Sequence, residues 1–392
     1  MKKEDKTNLA LYAMLYAALI IATLSSGCLS EPMGKVGDIF NPSSINLFQN
    51  EDYYQIDTNE LTTPIILTQP ISMYEDRPRD LTDSLPGFEV SSYYYYTQFY
   101  EGSESVIKVY VKNMGDTPVY VYQFGFLLTP EKERSLQETG TIILAGDEKN
   151  VGTVSINVPD DLDELKLQPQ ISLFSQTKSG KWHDYKEQYF EEITIDVSEI
   201  AIMQKQKYIS NPENIFNQVN SKIEPFDVGV RTMAAASAKK YPGQYNIYQI
   251  CALFDDTKEK IIYISDPRGK DLWSTPSDTI TIGAGDCDDY AILLASLIES
   301  IGGTSRIYLT DTHAFTAVYI GNNTNEIGTA IGKYYGSVPI YYTTDEYGSW
   351  LMLDPTSSMY AGGLPGGTAP TREGWTFLNT TTVNVIDIAP QN

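Results

Sequence analysis

Histidine, cysteine and positive charge are all scarce in this chain. Its 392 residues include two histidines, His183 and His313, and three cysteines, Cys28, Cys251 and Cys287. Three cysteines are too few for a disulfide-stapled scaffold, so each acts individually. Two histidines leave very few candidates for a catalytic base or a zinc site. Lys and Arg together number 28 against 51 Asp and Glu, a formal net charge of −23. A surface that negative repels phosphate backbones, which excludes nucleic acid as a partner. Repeats of about 20 to 50 residues and long runs of like charge are missing too, so neither a solenoid nor a charged tail is indicated. With 42% hydrophobic and 20% charged residues, the chain can bury real cores, and its length suits two globular units plus extensions.

The N-terminus is the exception to the shortage of positive charge and of apolar runs. Lys2, Lys3 and Lys6 precede an uncharged stretch from Leu9 to Gly27, rich in Leu, Ala, Ile and Tyr, and Cys28 follows at once. This is the pattern of an export signal. Ser25, Ser26 and Gly27 before a cysteine resemble the lipobox of bacterial and archaeal lipoproteins, although Ser25 stands where Leu is usual. The resemblance implies lipid attachment at Cys28. The stretch is nearly as long as the roughly 20 residues that cross a bilayer, so a retained helix and plain secretion remain open beside lipid anchoring. All three place residues 29–392 outside the cytoplasm, with anchoring to the outer face of the membrane as the leading expectation. The sequons at Asn322 and Asn379 are compatible with that location.

From 29 to 86 the chain is rich in Pro, Asn, Asp, Ser and Thr, which suits a spacer; Thr63 to Leu67 could form a short strand within it. Between 87 and 198 alternation takes over. Ile107, Val109 and Val111 share one face, then come Val119 to Phe126, Val154 to Val158, Ile171 to Phe174 and Ile193 to Val197, with turn residues between. Strands at this spacing predict an antiparallel, Ig-like β-sandwich. The run Tyr93 to Tyr96 fits a strand showing rings to both faces; it reads as ordinary sandwich packing or, alternatively, a carbohydrate-binding or adhesive surface. His183, in a polar turn beside Trp182, reads as surface decoration.

After Ser198 the texture becomes helical. Glu199 to Tyr208, Val230 to Lys240, Ile247 to Thr257 and Cys287 to Ile301 lack internal Pro or Gly. Strands Arg306 to Leu309, His313 to Ile320 and Trp350 to Asp354 follow. Helices first and strands afterwards make residues 199–392 an α+β domain.

Within this domain, Gly283-Ala284-Gly285-Asp286-Cys287 delivers a cysteine to the start of a helix. The helix dipole favours thiolate over thiol there, while Asp286, Asp288 and Asp289 oppose it, so a cationic partner is required. His313 opens a strand 26 residues later and can take the thiol proton. Asp354 ends a strand just before Pro355, on one face with Trp350 and Met352, and can fix the imidazole tautomer.

These three motifs, Gly285-Asp286-Cys287, Thr312-His313-Ala314 and Leu353-Asp354-Pro355, resemble in order and spacing the transglutaminase-like superfamily of papain-type folds. The likeness covers roughly 200–354. The segments Asp286 to Ala291 and Trp273 to Pro276 look especially like archaeal surface members. The resemblance implies a catalytic triad of Cys287 nucleophile, His313 base and acid, and Asp354 orienter. It implies carboxamide chemistry through a thioester acyl-enzyme, resolved by an amine or by water, on protein or peptide substrates at the cell surface and with no organic cofactor. Peptidases, amidases and inactive members share the superfamily. A surface binding module using the same cleft is therefore the competing reading.

The Cys287 N–H is the expected oxyanion donor, with Trp273 as a second donor or a cleft wall. Asp286, Asp288 and Asp289 lack the spacing of a calcium loop and read as first-turn helix acids, so no metal site is expected. Cys251, in an apolar helix, reads as a core residue, with a disulfide to Cys287 as the alternative. The Gly- and Pro-rich segment from Pro365 to Gly374 is expected to cover the cleft.

Overall fold

The computed structural model describes residue 61 and residues 87–129, 133–267 and 272–389. The export segment, Cys28 and the possible strand at Thr63 to Leu67 lie outside the described residues. Leu61 is the part of the expected spacer that is described. It is buried with residues of the C-terminal domain, so the segment read as a spacer contributes to a core.

Nine strands form the first unit: β1 (Val90–Tyr96), β2 (Phe99–Tyr100), β3 (Glu104–Asn113), β4 (Val119–Thr129), β5 (Arg134–Ile143), β6 (Glu148–Asn157), β7 (Glu164–Gln176), β8 (Trp182–Tyr189) and β9 (Ile193–Ser198). One sheet runs β1-β3-β6 and the other β2-β9-β7-β4-β5, with β8 also on β7. Alternation explains the core between them. Ile107, Val109 and Val111 of β3 turn inward to meet Phe124, Phe126 and Leu173. The sandwich is not wholly antiparallel, because β2 pairs parallel to β9 through Phe99 and Tyr100. The tyrosine run does show both faces. Tyr94 meets Phe126 edge-on inside, and Tyr93 stacks on Tyr110 outside.

The second unit mixes helices and strands. Its sheet contains β10 (Lys207–Ser210), β13 (Ser305–Leu309), β14 (Ala314–Gly321), β15 (Tyr342–Thr344), β16 (Ser349–Leu353) and β19 (Thr382–Asp387), in the order β10-β19-β13-β14-β16-β15. Two small pairs complete the strands: β11 (Ile262–Tyr263) with β12 (Ala284–Gly285), and β17 (Thr368–Thr371) with β18 (Gly374–Phe377). The helices are α1 (Glu213–Asn220), α2 (Val228–Ala238), α3 (Ile247–Lys260), α4 (Pro276–Ile282), α5 (Cys287–Ser300) and α6 (Thr324–Tyr335). Residues 199–206, expected to be helical, form no regular element, and β10 follows them instead. Tyr208, the last residue of the expected helix, pairs with Val383 of the last strand, a long-range partner that outweighs local helix preference.

Helix α5 is the centre of this unit. It is apolar nearly all round, with Leu293, Leu294 and Leu297 fully buried among α2, α3 and α6, and Ile292 and Ala295 buried toward Ile307 and Ala314 of the sheet. On the opposite sheet face, Phe315, Trp350 and Met352 pack beneath Trp375 and Phe377 of the β17–β18 hairpin. The long segment before α5 and the paired strands after it thus hold one helix N-terminus against one end of the sheet.

Candidate active site

Cys287 occupies the first position of α5. Asp286 precedes it with extended backbone angles, and the Asp289 carboxylate accepts the Asp286 N–H at 3.3 Å, closing the helix start. Gly285 is required just before. A Cβ there would lie 2.6 Å from the Asp289 Cβ, inside contact distance. At the first helical position the Cys287 N–H has no intrahelical acceptor, so it points out of the helix end as a donor. Trp273 and Cys287 pack against one apolar cluster.

His313 sits in the turn between β13 and β14. Thr310 holds it from both sides: the Thr310 N–H donates to the His313 carbonyl at 2.9 Å, and the His313 N–H to Thr310 Oγ1 at 3.0 Å. Thr316, three residues on, donates its hydroxyl to the Ala291 carbonyl of α5 at 2.9 Å. That bond fixes the strand that follows His313 against the helix that begins at Cys287.

Strand β16 brings the carboxylate. Thr316 lies opposite Leu353 in the antiparallel register of β14 and β16. Continuing that register puts Asp354 opposite Phe315, diagonal to His313. His313 Nε2 and Asp354 Oδ2 are 2.7 Å apart. Two of the three residues picked out in the sequence therefore meet directly, and Cys287 stands near enough to act on the imidazole. Nε2 is committed to Asp354, and Cys287 helps set the imidazole's charge. Burial alone would lower the His313 pKa, but hydrogen bonds to Asp354 and Cys287 and the charges on both outweigh it and push it up to about 10. The same geometry acts on Asp354. Burial would raise its pKa, yet the bonds from His313, Gly366 and Thr356 hold it below the ordinary carboxylate value. The arrangement favours an imidazolium held by a buried carboxylate.

Several supporting residues were not visible in the sequence. Asp354 is 1% exposed, and its Oδ1 accepts the Thr356 hydroxyl at 2.6 Å and the Thr356 N–H at 3.1 Å. A threonine two residues after an aspartate is a turn signal that could have been read. Lys258 of α3 donates to the Pro355 carbonyl at 2.7 Å, and its charge interacts with Asp354. Nothing local in the sequence indicates this contact across 97 residues.

The segment from Pro365 to Gly374 serves as backing as well as boundary. The Gly366 N–H donates to Asp354 Oδ2 at 2.8 Å, and a Cβ at Gly366 would stand 2.9 Å from His313 Nε2 and 2.5 Å from Ser357 Oγ. Gly366→Ala is expected to push the imidazole off line and cut turnover by about tenfold to a hundredfold while leaving the melting temperature nearly unchanged. Parallel kinetics and thermal melts check this; unaltered turnover would show that the site accommodates the methyl.

Cys251 and Cys287 are both free. Cys251 is fully buried in the helical core, and burial raises its thiol pKa well above the ordinary value. Among the described residues the alternative Cys251–Cys287 disulfide is therefore not formed. Carboxylate oxygens of Asp286, Asp288 and Asp289 lie within 4.8 Å of one another, so the trio has the spacing to hold a cation. Two Asp289 oxygens are engaged by backbone N–H groups, from Ser274 at 2.7 Å and Asp286 at 3.3 Å, which is the work of first-turn helix acids. His183 lies in β8 against Tyr185, their ring centroids 4.8 Å apart, distant in sequence and sheet from the triad.

No family model matches the chain, and no curated protein matches it. Solved structures give partial likenesses. A Bordetella pertussis protein described as ApaA is 16% identical, covering 29% of this chain and 97% of its own, with a TM-score of 0.22. The CARDB domain of the PF1109 protein from Pyrococcus furiosus is 12% identical over 33% of this chain and 99% of its own, at 0.20. A fragment of Escherichia coli alpha-2-macroglobulin, from domain MG7 to the C-terminus, is 10% identical over 51% of this chain and 33% of its own, at 0.21. Among the described residues no helix is long and apolar enough to cross a membrane. The chain is a mixed α and β protein that joins a β-sandwich to a unit carrying a buried His313–Asp354 pair.

Proposed function

We propose that the chain is an extracytoplasmic, thiol-dependent acyltransferase or amidase of the transglutaminase-like, papain-type kind, acting on carboxamides of proteins or peptides. The observation that carries this reading is the 2.7 Å His313–Asp354 contact, with Cys287 at a helix start acting on the same imidazole. In the reaction, the Cys287 thiol proton already resides on His313 as a thiolate–imidazolium pair, and the sulfur attacks the carboxamide carbon. The oxyanion is met by the Cys287 N–H at the helix N-terminus. His313 then returns its proton to the leaving nitrogen, ammonia or an amine departs, and a thioester remains. An amine or water, deprotonated by His313, attacks the thioester and regenerates the thiol. Asp354 stays ionised throughout and holds the ring. The apolar residues Ile262, Tyr263 and Ile264 are exposed on the strand beside the Gly285–Cys287 loop and offer a surface for the substrate chain.

The test is incubation of the full chain with a glutamine-containing peptide and a labelled primary amine, with products read by mass spectrometry. Incorporated amine or glutamate in place of glutamine, absent with Cys287→Ala, supports the reading. Substrate retained without turnover would favour a surface binding module, and product formed equally by Cys287→Ala would refute thiol catalysis.

A further inference from the structure

We propose that the cleft between the sandwich and the second domain is a binding site for a primary ammonium group, such as a lysine side chain or a short alkyl diamine, seated between Glu104 and a set of tyrosines. The cleft encloses about 260 Å³. Tyr96, Tyr100 and Glu104 line it from the sandwich, and Tyr341, Tyr360 and Leu364 from the second domain. That volume suits an aliphatic side chain and falls short of the roughly 300–1,000 Å³ of pockets for drug-sized ligands.

The carboxylate decides the ligand's charge. Glu104 opens β3 within this wall, and burial raises its pKa, with the Ser155 hydroxyl opposing. Its field reaches Tyr360 across the cleft. The Tyr360 hydroxyl already donates to the Pro339 carbonyl at 2.7 Å, so its proton is not directed at Glu104. Among the described residues no Lys, Arg or His forms an ion pair with Glu104. A carboxylate drawn out of water without a cation is costly, and a bound ammonium relieves that cost. Tyrosine faces add cation–π attraction.

This is not the acyl-acceptor position. Cys287 and His313 do not line the cleft; Ser357 and Gly366 do, and their N–H groups donate to Asp354 on the other side of the same loop. The ligand therefore touches the loop that holds the triad carboxylate without reaching the sulfur.

The test uses the full chain carrying Cys287→Ala, so that no acyl chemistry intervenes. 1,5-Diaminopentane and pentan-1-ol are titrated separately by calorimetry at an ionic strength of about 0.15 M, which screens the chain's overall negative charge. Saturable one-site binding of the diamine, with none of the alcohol, is expected. The near-isosteric Glu104→Gln is expected to weaken it about tenfold or more, the loss of one charge-assisted hydrogen bond. Tyr96→Ala, at a ring that is 51% exposed and carries little of the fold, is expected to weaken it several-fold. Undiminished binding by Glu104→Gln would reduce the effect to diffuse charge attraction. Equal binding of the alcohol, or no saturation in the parent, would overturn the proposal.

Discussion

Cys287→Ala is expected to fold normally and to lose acyl transfer by about ten-thousand-fold or more, with His313→Ala nearly as inactive, because the members of such a unit fail together. Cys287 is only partly buried and makes little of the core, so the loss is chemical. Asp354→Asn probes the charge more finely. It keeps the shape but removes the carboxylate that raises the His313 pKa, and it favours the wrong tautomer. Turnover is expected to fall by about a hundredfold or more, with the melting temperature changed much less than by Asp354→Ala, which leaves Thr356 and Gly366 without their acceptor. Stability has its own pH signature. His313 is raised from about 6.5 unfolded to about 10 folded, so its contribution is complete below about 6.5 and disappears as pH rises through about 10. Asp354 is lowered, so its contribution is present above the ordinary carboxylate value and is lost as pH falls through the lower folded one. Urea titrations across pH are expected to show His313→Ala converging on the parent at the alkaline end.

Arg306→Met is expected to cost about 3–5 kcal/mol, the penalty of leaving buried charge without its partner. Arg306 is 4% exposed on β13. It pairs with Asp345 after β15 and with Asp387 at the end of β19, and its guanidinium lies 3.6 Å from the centroid of the Trp350 ring. Asn211 extends the group, donating to Asp387 at 2.7 Å and accepting its N–H at 2.8 Å. Burial alone would lower the Arg306 pKa, but the two carboxylates outweigh it and keep the guanidinium charged. One side chain thus ties together the strands flanking β14 and β16, at whose ends His313 and Asp354 lie. Equilibrium urea unfolding measures the effect. A loss under about 1 kcal/mol would mean that the cluster is solvated like a surface pair.

The sequence made some of this architecture visible and hid the rest for physical reasons. Ile107-Val109-Val111 and Val154-Ile156-Val158 alternate because each buries one face of a sandwich strand, so their strands were legible. Helix α5 was legible from its unbroken apolar run after a glycine turn. The segment Glu199 to Tyr208 misled, since good helix formers carry no sign of Thr376 and Val383, the partners of Gln204 and Tyr208 more than 170 residues away. Strand β8 was invisible for another reason: Trp182 to Tyr189 is half exposed and shows no alternation. At the site, Cys287, His313 and Asp354 stood out because each lies at the end of an element and its residue type is chemically distinctive. Thr310, Lys258 and Gly366 act through a hydroxyl-to-backbone bond, an ammonium-to-carbonyl bond and an absent side chain. Such roles exist only once the chain is folded.

The central claim is that Cys287 and His313 form a poised nucleophile and base. It is tested most directly by the rate of Cys287 alkylation with iodoacetamide as a function of pH, in the parent chain and in His313→Ala, followed by mass spectrometry of the modified peptide. The account predicts alkylation near pH 6, about where a free thiol is almost unreactive, and its loss in His313→Ala. A Cys287 that reacts like a free thiol in both proteins, or not at all, would contradict it.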